Sequence, residues 1–223
     1  MDTTRYDQKL EFILRTAAHI FAEKGFHPTS MRDIARATKI SLAGLYYYFK
    51  SKDELLFLIQ EYCFGRVAER LAERLQETNE PVEKLRIFVE NHLSFFAANM
   101  AEMKVLSHEA DALVGEMQEK VAVTKQQYTQ LARSILAEVQ TAAIDDGKEI
   151  DLTVATYALF GMMNWIYNWY DPHGKLDVTA LVENVTRLFL FGFTKGPDFD
   201  KETFVPRAQA KPLSIWRGLS TQS

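Results

Sequence analysis

Helix caps punctuate this chain at short intervals, and that punctuation limits the fold more than any other feature. Leu10, Ile13, Leu14, Ala17, Ala18 and Phe21 recur at three-to-four spacing, so a first helix presents one apolar stripe, and Gly25 ends it. After Pro28-Thr29, Ser30-Met31-Arg32-Asp33 has the pattern of a capping box, in which hydroxyl and carboxylate satisfy free N–H groups at a helix start. A second helix runs from there to about Thr38, and Ser41 caps a third, to about Phe49. Ser51-Lys52-Asp53-Glu54 is another capping box and opens a long fourth helix to about Thr78.

The rest reads the same way. Pro81 sits at the first turn of a fifth helix, about Val82–Asn99. Further helices are expected at about Ala101–Leu113, at Glu116–Ala143 before Asp145-Asp146-Gly147, from Asp151 to about Tyr170, and at Val178–Lys195 before Gly196-Pro197. Strand alternation and internal repeats are absent from the sequence. The fold class is all-α. Prolines 197, 206 and 212 predict an irregular tail over residues 197–223.

Composition narrows the setting. The single cysteine, Cys63, allows no internal disulfide, which fits a reducing compartment, and its neighbours Tyr62, Phe64 and Val67 suggest a core position. The N-terminus lacks the basic-then-apolar layout of a signal peptide, and the most apolar stretch, Thr156 to Tyr170, is interrupted by Asn164 and Asn168. A cytoplasmic protein without a membrane span is expected. Net charge is −4, yet residues 1–52 carry nine Lys/Arg against five Asp/Glu, leaving the remainder acidic. A basic segment on an acidic body suits a small DNA-reading module.

The second and third helices are short and three or four residues apart, with Ile34, Ala35, Ile40 and Leu45 spaced to pack them on the first. Such a pair leaves the third helix projecting, able to enter a major groove. The run Thr29-Ser30-Met31-Arg32-Asp33-Ile34-Ala35, then Ile40-Ser41, then Leu45-Tyr46-Tyr47-Tyr48-Phe49-Lys50-Ser51-Lys52-Asp53-Glu54-Leu55 closely resembles the N-terminal domain of the TetR family, over about residues 8–56. The resemblance implies a helix-turn-helix domain over residues 1–52 and a helical ligand-binding and dimerisation domain over 53–196. It also implies a homodimer on a palindromic operator in double-stranded DNA.

Chemistry and resemblance together nominate the DNA contacts. Tyr46 and Tyr48 offer hydroxyls and Lys52 a charge to phosphates; Ser30 and Ser41, with the helix starts they cap, are further phosphate donors. By resemblance, base contacts come from Arg32, Leu42, Ala43, Gly44 and Tyr47. Phe49 is expected in the core. Two residues depart from the family: Lys39 stands where Gly is usual and the turn wants a left-handed backbone, and Gly44 replaces a common Thr or Ser, removing a side chain from the reading face.

In the body, the resemblance implies that the last two long helices form a four-helix interface across a two-fold axis. Val154, Leu159, Met162, Met163, Ile166, Trp169, Leu181, Val185, Leu188, Phe189 and Gly192 supply apolar faces that would equally serve the monomer's core; Gly161 and Gly192 would permit close approach. A ligand pocket is expected between the fifth and eighth helices, with Phe88, His92, Phe95, Phe96, Met103, His108, Tyr128, Leu131, Phe160, Met163, Asn164 and Tyr167 as candidate lining. These suit a sizeable hydrophobic effector, although plain core packing would explain each singly. The segment Gly161 to Tyr170 with Asp171-Pro172-His173-Gly174 resembles the branch of the family that senses acyl-CoA thioesters. Such a ligand needs cations for its phosphates; Lys104, Lys125 and Arg133 are candidates that nothing in the sequence singles out. An enzyme reading would draw on His92, His108, Glu109 and Asp111 as a metal or acid–base site, but no His-Glu-x-x-His, Glu-x-x-His or cysteine cluster supports one. No catalytic residue, metal or cofactor is expected.

Overall fold

A computed structural model describes residues 5–109, 111–143 and 150–193; the expected tail 197–223 and the Asp145-Asp146-Gly147 break lie outside the described residues. The described chain is helical throughout, with nine α-helices and one short 3-10 segment. The head comprises α1 (Arg5–Lys24), α2 (Met31–Thr38) and α3 (Leu42–Tyr46). Ile13, Ala17, Ala18 and Phe21 of α1 meet Ile34 of α2 and Leu45 of α3 in a closed core, and Phe49 fills it as expected. Each short helix is fixed by its cap. Ser30 Oγ accepts from Asp33 N–H at 3.2 Å and Asp33 returns the bond to Ser30 N–H at 3.0 Å; Ser41 Oγ accepts from Gly44 N–H at 3.1 Å. Ser51 Oγ accepts from Glu54 N–H at 3.0 Å, but Glu54 bonds back to Lys50 N–H, one residue ahead of the cap.

The body is α4 (Lys52–Leu75), α5 (Pro81–Ala98), α6 (Met100–His108), α7 (Glu116–Ala143), α8 (Leu152–Asn164) and α9 (Val178–Phe193). Helix α5 is its axis, flanked by α4, α7 and α9, while α6 lies along α1 of the head. Helices α3 and α4 end a few residues before their expected ends, at Tyr46 and Leu75, and two others stop shorter still. Helix α6 ends at His108 rather than near Leu113. Helix α8 ends at Asn164 and tightens into the 3-10 turn Trp165–Asn168, where Trp, Tyr and Asn are poor helix formers and Pro172 bars helix at Asp171. Among the described residues no helix is long and apolar enough to cross a membrane.

The α2–α3 turn contains the backbone feature expected of it. Lys39 is left-handed at φ 57°, ψ 29°. For any residue with a Cβ this conformation costs about 1 kcal/mol, which glycine does not incur. Lys39→Gly is therefore expected to stabilise the protein by about 1 kcal/mol, raising the midpoint of thermal unfolding by about 2–4 °C. An unchanged or lowered midpoint would mean that the lysine side chain offsets its backbone strain.

Candidate DNA interface and effector cavity

On the head, the α3 side presents the nominated residues unevenly. Arg32, Ser41, Ala43, Tyr46 and Tyr47 are exposed, Tyr47 to 73%, and Leu42 is half-buried at the start of α3. Tyr47 does not pack between α1 and α3; it makes edge contacts with Tyr48 and Tyr6, centroids 5.3 and 6.1 Å apart. Tyr48 stacks on Tyr6 at 5.0 Å, which leaves its ring half-buried and fixes its direction. Gly44 is explained differently from the sequence expectation. A Cβ there would lie 2.8 Å from Ile40 Cγ2, so the missing side chain makes room for the α2–α3 turn.

Lys52 is the clear correction. It was expected to offer its charge to phosphates, but its ammonium donates to the carbonyls of Phe26 at 2.7 Å, His27 at 3.1 Å and Thr29 at 2.9 Å, and lies 4.3 Å from the Phe26 ring centre. An ammonium has three hydrogens, and all three are used inside the head. On the opposite side of the same turn, Glu109 Oε1 accepts from Phe26 N–H at 2.9 Å. Lys52→Ala is thus expected to lower stability by about 2 kcal/mol in denaturant unfolding, through loss of a charged hydrogen-bond set. The slope of log affinity for DNA against log salt should stay where it was, whereas a lysine that neutralises a phosphate would reduce that slope by about one.

The body contains a cavity of about 250 Å³ between α4, α5, α6, α7 and α8. Six of the twelve nominated residues line it: His92, Phe96, Met103, Tyr128, Phe160 and Asn164. Phe64, Leu106, Ser107, Lys125, Thr129 and Tyr157 complete it and, except for Lys125, were not foreseen. The other six nominees lie elsewhere. Phe88 and Met163 are fully buried in the core, Phe88 packing against Tyr128 at 5.2 Å. Leu131 packs against the core at half exposure. Phe95 lines a separate cleft, His108 lines a pocket against α1, and Tyr167 sets its ring against His108 at 5.2 Å. Of the three candidate cations, only Lys125 lines the cavity; Lys104 lines the pocket against α1 and Arg133 bonds Thr153 Oγ1 at 2.9 Å.

One buried polar chain sits in the cavity wall. Asn164 Oδ1 can only accept, so His92 donates to it from Nε2 at 3.0 Å, and Nδ1 then accepts from the Tyr128 hydroxyl at 3.3 Å. Burial pulls the His92 imidazole down to about 4, partly offset by the Asn164 bond, and pushes the Tyr128 phenol well above its ordinary value. Both groups are neutral at physiological pH. Lys125 lies at the cavity with its ammonium 5.6 Å from the Phe64 ring centre, its pKa lowered by burial despite Asp111. The residues considered for catalysis are dispersed: His92 is committed to this chain, His108 to Tyr167 and Glu109 to Phe26. Among the described residues no three His, Cys, Asp or Glu side chains are placed to hold a metal.

The apolar residues of the last two helices divide into two sets. Leu159, Met163, Ile166, Leu181, Val185 and Phe189 are buried in the monomer, and Met162 is partly buried. Val154 (64% exposed), Trp165, Trp169, Leu188 (69%) and Phe191 face outward, Tyr157 is exposed as well as lining the cavity, and a Cβ at Gly161 or Gly192 would meet only open space. Exposed apolar residues concentrated on two helices in this way suit a protein contact.

Comparison with known proteins agrees with this geometry. Residues 13–59 match the model of bacterial regulatory proteins of the tetR family, and residues 78–193 match a tetracyclin repressor-like C-terminal domain. The chain belongs to the TetR family and is a DNA-binding transcriptional regulator. It is 27% identical over 184 residues to the fatty acid metabolism regulator protein of Bacillus subtilis (strain 168), covering 81% of this chain and 93% of that one. It is 27% identical over 199 residues to the HTH-type transcriptional repressor KstR2 of Rhodococcus jostii (strain RHA1), covering 86% and 94%. Among solved structures, AibR in complex with isovaleryl coenzyme A and operator DNA superposes with a TM-score of 0.71 at 28% identity, covering 83% of this chain and 98% of that one.

The buried histidine predicts a pH dependence of stability. Its folded pKa is depressed, so between about 4 and 6.5 the unfolded chain binds a proton that the folded chain refuses. Stability therefore rises with pH across that window and falls on acidification. From pH 7 to pH 5 the loss from His92 alone is about 2 kcal/mol. His92→Gln should flatten this part of the profile when unfolding midpoints are compared at the two pH values; an equal slope in both proteins would assign it to other groups.

Proposed function

We propose that the chain is a homodimeric repressor, released from a palindromic operator when an acyl-CoA thioester enters the cavity of each subunit. The observation that carries this is the cavity itself, with Phe64, Phe96, Met103, Leu106 and Phe160 as apolar wall and the Lys125 ammonium beside it. An acyl chain suits the wall, and an anionic headgroup suits the cation. The relatives add weight, since one regulates fatty acid metabolism and a structural neighbour holds isovaleryl coenzyme A. A different apolar effector, or activation instead of repression, is the second reading, favoured by the absence of any further cation among the described residues lining the cavity.

In this reading residues 1–52 read DNA, 53–196 bind effector and partner, and the protein acts in the cytoplasm without catalysis. Arg32, Leu42, Ala43 and Tyr47 face bases, while Ser30, Ser41, Tyr46 and Tyr48 position the phosphates. The outward residues of α8 and α9 pair the subunits, so that two recognition helices sit about one DNA turn apart.

The route from cavity to head is short. Met103, Leu106 and Ser107 of α6 line the cavity, and Glu109, capping the same helix, holds the Phe26 N–H of the head. A ligand that moves α6 moves the head.

The test is a gel shift at fixed salt on DNA flanking the protein's own gene, with acyl-CoA of several chain lengths titrated in. Release by one of them supports the effector class; retention against all of them leaves the regulator but discards this effector. Glu109→Ala is expected to keep operator binding while requiring at least about tenfold more effector for release, a coupling of about 1.4 kcal/mol. An unaltered release curve would place the coupling elsewhere.

A further inference from the structure

The body cavity has an inner wall and an open side. His92, Phe96, Met103, Leu106 and Tyr128 are buried, whereas Ser107, Tyr157 and Asn164 are exposed where the cavity opens. The polar groups of the inner wall are already engaged. The Tyr128 hydroxyl donates to His92 Nδ1, and His92 Nε2 donates to Asn164 Oδ1 at 3.0 Å. Beside them Thr129 Oγ1 donates to the Lys125 carbonyl at 2.9 Å.

Asn164 is the member of this chain with a donor left over. A side-chain amide is planar and carries its acceptor and its donors on opposite arms. The Tyr128 bond commits His92 Nδ1 as acceptor, so Nε2 carries the proton, and the oxygen arm of Asn164 is the one it holds. The Nδ2 arm is thereby turned away from His92, and it makes no hydrogen bond with a described residue. It is an amide donor with a fixed direction, at the line where the apolar wall meets the open side.

That donor selects among ligands. A purely apolar occupant would strip water from Nδ2 and give nothing back, a loss of about 1–3 kcal/mol. A carbonyl oxygen at the head of an apolar chain restores the bond. An acyl group has that oxygen on its first carbon, whether it arrives as a CoA thioester or as a free acid.

We propose that Asn164 Nδ2 is the donor that recognises the carbonyl oxygen of the effector's acyl group, with the chain lying inward against Phe96, Met103 and Leu106. This rests on the reading that an acyl compound fills the cavity, and it adds that the carbonyl, beyond the chain, is what the protein recognises.

At roughly 30 Å³ per non-hydrogen atom the cavity takes about eight such atoms, so the probes carry eight-carbon chains. Calorimetric titration of the intact protein compares octanoyl-CoA, octanoate and S-octyl-CoA, the thioether in which a methylene replaces the carbonyl. Octanoyl-CoA is expected to bind about five- to tenfold more tightly than the thioether. Asn164→Asp keeps an acceptor for His92 and removes the donor, and should bring that ratio to about one. Its added charge acts on both CoA compounds alike, so the ratio isolates the carbonyl. Asn164→Leu should do the same and decides the matter if the aspartate variant fails to fold. Equal binding of the two CoA compounds by the unaltered protein, or a preference that survives in a folded variant, would overturn the proposal and leave the acyl-CoA reading standing. Binding of octanoate alone, lost in Asn164→Leu, would uphold Asn164 and overturn the acyl-CoA reading instead. No binding of any probe at about 1 mM would overturn both.

Discussion

The turn from Phe26 to Thr29 is gripped from two sides, and the head depends on that grip. Lys52 gives its three hydrogens to the carbonyls of Phe26, His27 and Thr29, and Glu109 takes the Phe26 N–H. Loops of this kind leave backbone groups that secondary structure does not pair, and here charged side chains from two body helices pair them. Lys52 is the first residue of α4 and Glu109 caps α6, so the same bonds that close the turn also orient the head on the body. Charged hydrogen bonds are about twice as strong as neutral ones, which suits a joint that must hold position and still give way.

Local chemistry was legible in the sequence because it acts over three or four residues. The Ser30, Ser41 and Ser51 caps, the left-handed Lys39 and the terminating Gly25 can be read from neighbours in the chain, and the structure has each in that role. Lys52 could not be read this way. Its partners lie 23 to 26 residues away, and a lysine following a recognition helix has an equally good local explanation in a phosphate. The cavity was half legible for a related reason. Apolar residues on α5 announce burial but not which side they face: Phe95 and Phe96 are neighbours, yet about 100° of helix rotation sends one to the cleft beside α1 and the other to the cavity enclosed by α4 to α8. Phe64, Lys125 and Thr129 come from helices whose exposed faces look ordinary until four other helices surround them.

The last two helices show how one apolar pattern serves two purposes. Helix α8 buries Leu159 and Met163 inward and presents Val154 outward, and Trp165 in the 3-10 turn that follows is outward too. A helix apolar nearly all round is costly on the surface of a monomer and stable when two copies enclose it. The sequence stated the composition of both faces, but only the packing of α8 and α9 separates core from contact. The space above Gly161 and Gly192 is open, which is what a second backbone would need if these helices pair as proposed.

Magnitudes indicate how little movement regulation requires. Reducing operator occupancy tenfold takes about 1.4 kcal/mol of preference for the released state. A single hydrogen bond to a charged group is worth about 1.5–3 kcal/mol. The Glu109 bond to Phe26 therefore exceeds the coupling that a modest response demands. Helix α6 places Met103 and Leu106 at the body cavity within two turns of that bond. A packed helix of nine residues moves as a body, because close-packed interiors transmit displacement and do not absorb it. In the proposed mechanism, an occupant that does not fit the resting position of α6 would be set against one charged hydrogen bond, and the energies are closely enough matched for a small ligand to win.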